Sequence, residues 1–564
     1  MTPIGQLTSG VILAVLLQVA VPGVLLGIEP LACVEELHLP AYPRLIRAAA
    51  LTGVARATVS IGDGEKPLAV SVDGVTTLLK NTVTEALERS RFRGSCKGEN
   101  VVFQFVFELE YPVTRDNQAR VTFKPPNVFF IRAGYSPISH GPPISRGDGT
   151  ESLVIRNVNV VDVLTGSVKP RQAVTIRGER IESILPDHEA RFPPRAAVAD
   201  GKNGFLIPGL WDMHVHTLWD PTVRDTFLPL FTANGVTGIR DMGGRLDIVK
   251  STREAAKFPR MVVSGPILDG PGRDDPRSTV GIGGPEQAAQ TVEGLVEAGV
   301  DFIKVYTQLP RDAYYAVVAA AKRSNLPVAG HAPYQVGAVE AARTGMRSIE
   351  HMQAETGTYC PVLESAECRD LLALFRKRKT YQTPTLLVRR IRSHIDDNAI
   401  AAAKVLRYVP QPVRNEWMEA RKKTLQRPAA YFERIKQDFR HEAALAGLLH
   451  RSHVPLLAGS DAGTNFVVPG FSLHEELALL AEAGMGAAAV LRTATLHAAE
   501  FLNQGGEFGT VEPGKIADLV LLEANPLVDI RNTSRIRAVI QGGTLLDRDA
   551  LDRILREAAD RARR

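Results

Sequence analysis

Two histidines set two residues apart, His214 and His216, are the first side chains in this sequence whose spacing suggests chemistry. On an extended segment such residues point to the same side, so both imidazoles project together, as two ligands of one cation must. An HxH pair alone is a weak sign, because chance pairs and core histidines are commoner. Here it closes the apolar run FLIPGLWDMHVHT. Lys304 sits among apolar neighbours in DFIKVY. A buried, unpaired ammonium is costly. The lysine therefore either snorkels to water from the strand end, or reacts as a neutral amine with carbon dioxide. The carbamate so formed is an anion able to bridge two cations, chemistry suited to a lysine whose pKa shifts on burial. His331 in VAGHA, His351 in SIEH and Asp461 in LLAGSDAG each close a short apolar run. Singly, such residues read as core histidines or a helix cap. At the C-terminal ends of successive strands they would face one mouth.

The elements that must position them alternate. Strand-like runs in the HVH segment, GVTGIRDM, PRMVVSGP, VDFIKVYT, LPVAGHAP, RSIEHM, TYQTPTLL and VPLLAGSD are separated by helical stretches. Alternation of this kind predicts an α/β unit of parallel strand–helix repeats, and eight runs match a (β/α)8 TIM barrel over 207–506. Residues 389–450 form a charged helical insertion between the seventh and eighth runs. It reads equally as a lid over the active face or as a solvated decoration. Strand-like segments at 151–206 and 507–550 are expected to make a composite β-sandwich beside the barrel. The charged tail from Asp552 reads as an exposed helix end.

Bulk properties bound the rest. A length of 564 residues implies two or three domains. With 45% hydrophobic and 23% charged residues the composition is that of a soluble globular protein. A net charge of +5, without a basic stripe interleaved with aromatics, argues against nucleic-acid binding. Val11 to Ile28 carries no charge, which suits a signal-peptide core or a marginal membrane span within residues 1–32; the bland alternative is a buried helix. Met1 to Gly10 lacks the basic residues of a signal n-region. The expectation is a periplasmic protein, or one anchored facing the periplasm. Four cysteines permit disulfides. Cys33–Cys96 with Cys360–Cys368 is the simplest pairing, and four buried thiols the alternative.

Residues 33–133 read as a first, α+β unit. Alternation in TVSIGDGEKPLAVSVDG predicts a hairpin, TTLLKNTVTEALERSRF a helix, and VVFQFVFELEY a strand. The Tyr42-Pro43 opening, the Gly-Asp-Gly turn and Arg91-Phe92 at the helix end resemble the TonB C-terminal domain. That resemblance implies a small interaction module with an envelope protein as partner. Gly134 to Gly149, rich in Gly, Pro and Ser, reads as a linker over 134–150.

The second part resembles the amidohydrolase superfamily: HxH on strand one, Lys on four, His on five and six, Asp on eight, in order and complete. The likeness runs from Ser152 to near Asp547 and extends to FLIPGLWDMHVHT and GTVEPGKIADLVLLEANP. GIRDMGG, DFIKVY, AGHA, SIEHM and AGSDAG carry a further resemblance to imidazolonepropionase-like and Xaa-Pro dipeptidase-like members. It implies that His214, His216 and Asp461 hold one divalent metal, His331 and His351 a second, and carboxylated Lys304 bridges both. An unmodified Lys304 implies one ion. Zinc suits these ligands, with iron or manganese as alternatives. The implied reaction is hydrolysis of an amide or peptide C–N bond in a dipeptide or N-acyl amino acid. Metal-activated hydroxide attacks, and Asp461 acts as general base and acid. Asp212 and Glu350 are candidates to support ligands; Tyr306 and His474 are candidates to touch substrate. Arg240 and Asp241 read as structural partners. Rival readings are a cyclic amide or lactone hydrolase in the same site, and an inert barrel in an envelope interaction protein.

Overall fold

The computed structural model describes residues 30–40, 53–62, 66–75, 77–110, 120–124, 128–134, 152–255, 259–352 and 358–563. The chain divides into two compact units, Met1–Ser139 and His140–Arg564. The apolar run Val11 to Ile28, the Tyr-Pro opening, the tip of the Gly-Asp-Gly turn and 135–150 of the expected linker lie outside the described residues. Among the described residues no helix is long and apolar enough to cross a membrane.

In the first unit, Gly53–Ile61 and Pro67–Asp73 pair as the expected antiparallel hairpin. Ala55, Ala57, Val59 and Ile61 are buried at every second position, as are Phe103, Phe105 and Phe107 on the neighbouring strand Asn100–Glu110. Period-two burial of this kind turns one sheet face toward the core. The helix Thr77–Arg89 belongs to the same core through Leu79, Val83 and Leu87, spaced for one helical face. The structure adds a second hairpin, Arg120–Lys124 with Val128–Gly134, whose last strand runs parallel to Asn100–Glu110. Gly134 therefore belongs to a strand and not to the linker. Cys33 and Cys96 are joined in a disulfide.

The second unit opens and closes in one eight-stranded sheet. Phe205–Pro208 pairs antiparallel with Leu519–Leu522, tying the two ends of the unit together. Leu519 and Leu521 belong to one apolar cluster, Val520 and Leu522 to another, so this strand is buried on both faces. Between these ends lie parallel ladders. Leu210–Val215, Val236–Asp241 and Arg260–Val263 form one. Thr279–Gly281, Ile267–Asp269, Ile303–Val305, Val328–Gly330, Ser348–Glu350 and Tyr381–Thr383 form the other. The eighth expected strand, VPLLAGSD, makes no ladder. Single parallel bridges join Leu456 to Gln382 and Ala462 to Val215, so the segment lies between the first and seventh strands.

After Tyr381–Thr383 come the helices Leu386–Ser393, Gln411–Thr424 and Ala429–Arg451 of the insertion. A part-buried pair, Arg389 with Glu442 at 2.6 Å, fastens the last helix to the first. His441 on that last helix lies 2.8 Å from the Cys360 carbonyl oxygen, in a loop closed by the Cys360–Cys368 disulfide. The C-terminal tail corrects its expectation. Helix Arg548–Arg563 buries Leu551, Ala558, Ala559 and Ala562, and Arg561 donates to the Asp225 carbonyl.

The disulfides close loops of unequal length, with sequence separations of 63 and 8. By loop-closure entropy they constrain the unfolded chain by about 4 and about 2.5 kcal/mol. Replacing both cysteines of the Cys33–Cys96 pair by serine should therefore cost more, in urea unfolding, than the same change at Cys360–Cys368. The opposite order would mean that the longer crosslink does not act through the unfolded state.

Candidate metal centre

His214 is the last but one residue of the fully buried strand Leu210–Val215, and the chain continues to His216 on the same side. Asp461 reaches them because its segment is laced to that strand. The Asp461 amide donates to the His214 carbonyl at 2.8 Å and the His216 amide to the Ala462 carbonyl at 2.7 Å. The close approach requires glycine at 459, where a Cβ would stand 2.8 Å from His214 Cβ. His351 follows Ser348–Glu350, and His331 follows Val328–Gly330. The His351 ring centroid lies 4.6 Å from that of His214 and 4.8 Å from that of His331.

The donors converge. His214 Nε2 stands 3.3 Å from His216 Nε2, and Asp461 Oδ1 lies 3.5 and 3.4 Å from those two nitrogens. Tetrahedral ligands held about 2.0–2.1 Å from a cation are about 3.3–3.4 Å from one another, so the triangle fits a divalent ion. Ligand atoms of His214, His351 and Asp461 also lie within 4.8 Å of one another. Burial, with the Lys304 charge second, holds His216 down to about 3 and His214 well below the usual imidazole range. Burial and the neighbouring His214 do the same for His351. All three rings are thus neutral near pH 7, the form that can coordinate.

Two of these rings, His214 and His351, are aimed from behind. His214 Nδ1 meets Glu350 Oε2 at 2.8 Å. An ionised carboxylate only accepts, so Nδ1 carries the proton and the Nε2 lone pair points inward. His351 Nδ1 lies 2.6 Å from Thr385 Oγ1, whose own proton goes to the Pro384 carbonyl at 2.7 Å. Nδ1 must then be the donor, which again leaves Nε2 bare. Glu350 is fully buried beside Arg240, which donates to both its oxygens at 2.9 and 3.0 Å. Burial pushes the Glu350 carboxyl upward, but the guanidinium, Lys304 and hydroxyl donors outweigh it and hold the group below its ordinary value. Arg240 also donates to the Met213 carbonyl and to Ser348 Oγ. Asp212 accepts from the Ser460 amide and hydroxyl at 2.9 and 2.5 Å, anchoring the residue before Asp461. Burial raises Asp212 to about 7.

Lys304, on Ile303–Val305, and His331, just past the adjacent strand Val328–Gly330, are almost fully buried. Gly330 lets Lys304 pass, since a Cβ there would meet its Cδ at 2.8 Å. Tyr306 is half-buried with its ring centroid 4.1 Å from that of His331, at the edge of the cluster. His474 is a correction. Its ring nitrogens are taken by Thr533 Oγ1 and the Asn234 carbonyl, both at 3.0 Å. Sitting on helix Phe471–Glu482, it ties that helix to distant segments and is not brought to the imidazoles. Ser460, Thr385 and Glu476, all buried near these ligands, carried no signal in the sequence, where hydroxyls and acids are too common to single out.

A model of the amidohydrolase family matches residues 205–546. An adenine deaminase from Rubrobacter xylanophilus is 34% identical over 125 residues, 20% of this chain and 21% of that protein. The chain thus spans about a fifth of that curated relative's length. A bottromycin amidohydrolase structure superposes with a TM-score of 0.58 at 29% identity, covering 73% of this chain and 90% of its own. A prolidase candidate from Bifidobacterium longum does so at 0.56 and 25% identity, covering 72% and 99%.

The Arg240–Glu350 pair is buried on both sides. Removing one partner of such a pair costs about 3–5 kcal/mol, because the other charge stays buried. Arg240→Met should lower urea stability by that amount. Arg531→Met, at an exposed pair with Glu482, should change it by under about 0.5 kcal/mol. Equal small effects would show that Glu350 does not depend on Arg240.

Proposed function

This chain belongs to the amidohydrolase family, and we propose that it hydrolyses the C–N bond of a small amide, a dipeptide or an N-acyl amino acid. The observation that carries this is the triangle of His214, His216 and Asp461, with donor atoms 3.3 to 3.5 Å apart. The two parallel ladders, with the 455–461 segment between first and last, are read here as one (β/α)8 barrel whose C-terminal face holds the site. His214, His216 and Asp461 would hold one divalent ion, and His331 and His351 a second, with Lys304 as a carbamate between them. Zinc suits this mixture of imidazole and carboxylate. Such an ion supplies Lewis acidity, acidifying water to a pKa of about 7 and polarising a carbonyl.

The side chains do the rest. Glu350 and Thr385 fix the tautomers of His214 and His351, so no proton competes for Nε2. Asp461 Oδ1 faces the two imidazoles, and its Oδ2 would carry a proton from water to the leaving nitrogen. Tyr306, whose ring lies 4.1 Å from that of His331, would touch substrate. Likeness to the bottromycin amidohydrolase and the prolidase candidate supports an open-chain amide over a lactone. Two disulfides support an oxidising compartment, and with it a periplasmic protein whose first unit serves as an interaction module.

Metal analysis of the purified chain, followed by a panel of dipeptides, N-acyl amino acids, lactams and lactones, tests the proposal. About two divalent ions per chain and turnover of open-chain amides are expected, both lost on chelation. Lys304→Met should reduce the ion content to one. Asp461→Asn should lower kcat by about 10²–10⁴. Undiminished turnover in a metal-free preparation, or in His214→Ala, would refute the assignment.

A further inference from the structure

Helix Leu386–Ser393 starts without the cap its sequence provides. Thr385 occupies the N-cap position, but its side chain caps nothing. A threonine there normally turns its oxygen onto the first free amides of the helix. This one donates to the Pro384 carbonyl and accepts from His351 Nδ1. Its backbone is also unusual, with φ 50° and ψ 47°. A β-branched residue seldom adopts that left-handed conformation unless its surroundings impose it.

The missing cap comes from another helix. Glu476, on Phe471–Glu482, is wholly buried. Its two carboxyl oxygens accept from the Leu386 and Leu387 amides at 3.0 and 2.7 Å. Those are the first two amides of the helix, the groups left without an intrahelical partner. Glu476 therefore replaces the cap and frees the Thr385 hydroxyl to face His351. One turn earlier on the same helix, Ser472 touches Ser460, which precedes Asp461.

Resting on the metal-centre reading above, we propose that Glu476 is a positioning residue for His351. It holds the start of the Leu386–Ser393 helix so that Thr385 fixes the imidazole's tautomer and direction. Glu476 touches neither the reacting atoms nor a ligand; its effect passes through Thr385.

The test is zinc affinity of the metal-stripped full chain, by chelator competition, in four variants. Glu476→Gln puts an amide NH2 against a backbone N–H, and Thr385→Val removes the hydroxyl while keeping the shape. Losing such an outer partner weakens metal binding about 10–100-fold, and each variant should show at least a tenfold loss. The double variant should be no weaker than the weaker single, since both changes break one chain of contacts. Thr385→Ser, which keeps the hydroxyl, should bind like the wild type. Wild-type affinity in Glu476→Gln alongside a lower Tm would overturn the proposal and leave Glu476 a purely structural cap. So would losses that multiply in the double variant. Should Glu476→Gln fail to fold, wild-type affinity in Thr385→Val is equally fatal. A wild-type chain that binds no zinc or other divalent ion sinks the metal-centre reading itself, a result distinct from these.

Discussion

Arg240, Glu350 and His214 form an ion pair and a charge-assisted hydrogen bond with no exposed side chain among them. Charges taken out of water must satisfy one another, or the desolvation cost goes uncompensated. The carboxylate therefore has no freedom to rotate away from either partner. Arg240 spans three elements to hold it, donating to the Met213 carbonyl, to Ser348 and to Thr383. Phe501 covers its guanidinium, 4.8 Å from centroid to Cζ. The direction of the His214 ring follows from this packing, and the rest of the centre is built outward from that ring.

The second constraint is backbone geometry. His351, Thr385 and Asp461 all have positive φ, at 56°, 50° and 61°. None is glycine, so each conformation is held against its own preference. The holding groups are visible. Asp461 is tied to His214 by its amide and lies next to Ser460, which Asp212 grips. Thr385 is followed at once by the two amides that Glu476 accepts. Donor directions at this site are thus set by several rigid contacts each, which is what close ligand geometry demands.

Much of this was legible beforehand. Apolar runs ending in His, Lys or Asp mark strands that deliver polar groups to one end of a parallel sheet, and seven of the eight expected runs form ladder strands. The eighth, around Leu456 to Asp461, makes isolated bridges and backbone hydrogen bonds to the first and seventh strands without forming a ladder; its glycine and serine interrupt the strand pattern where it crosses the site. The first unit's extra hairpin escaped notice because Pro125 and Pro126 interrupt the alternation between its strands. His474 misled for a simple reason. Closeness in sequence to Asp461 says nothing about which face of the following helix a residue occupies, and this one turns toward Thr533.

By itself the sequence determined which donors exist, that His214 and His216 share a side, and that Lys304 and the other histidines sit in or close apolar runs. Those properties follow from local periodicity and residue chemistry. Only the tertiary structure decided which carboxylate stands behind which imidazole, that Arg240 keeps Glu350 ionised, and that Glu476 does the capping Thr385 leaves undone. These pairings join residues 89 to 136 positions apart, and no local pattern encodes them. They are fixed when burial forces each polar group to find a partner among those the fold brings within reach.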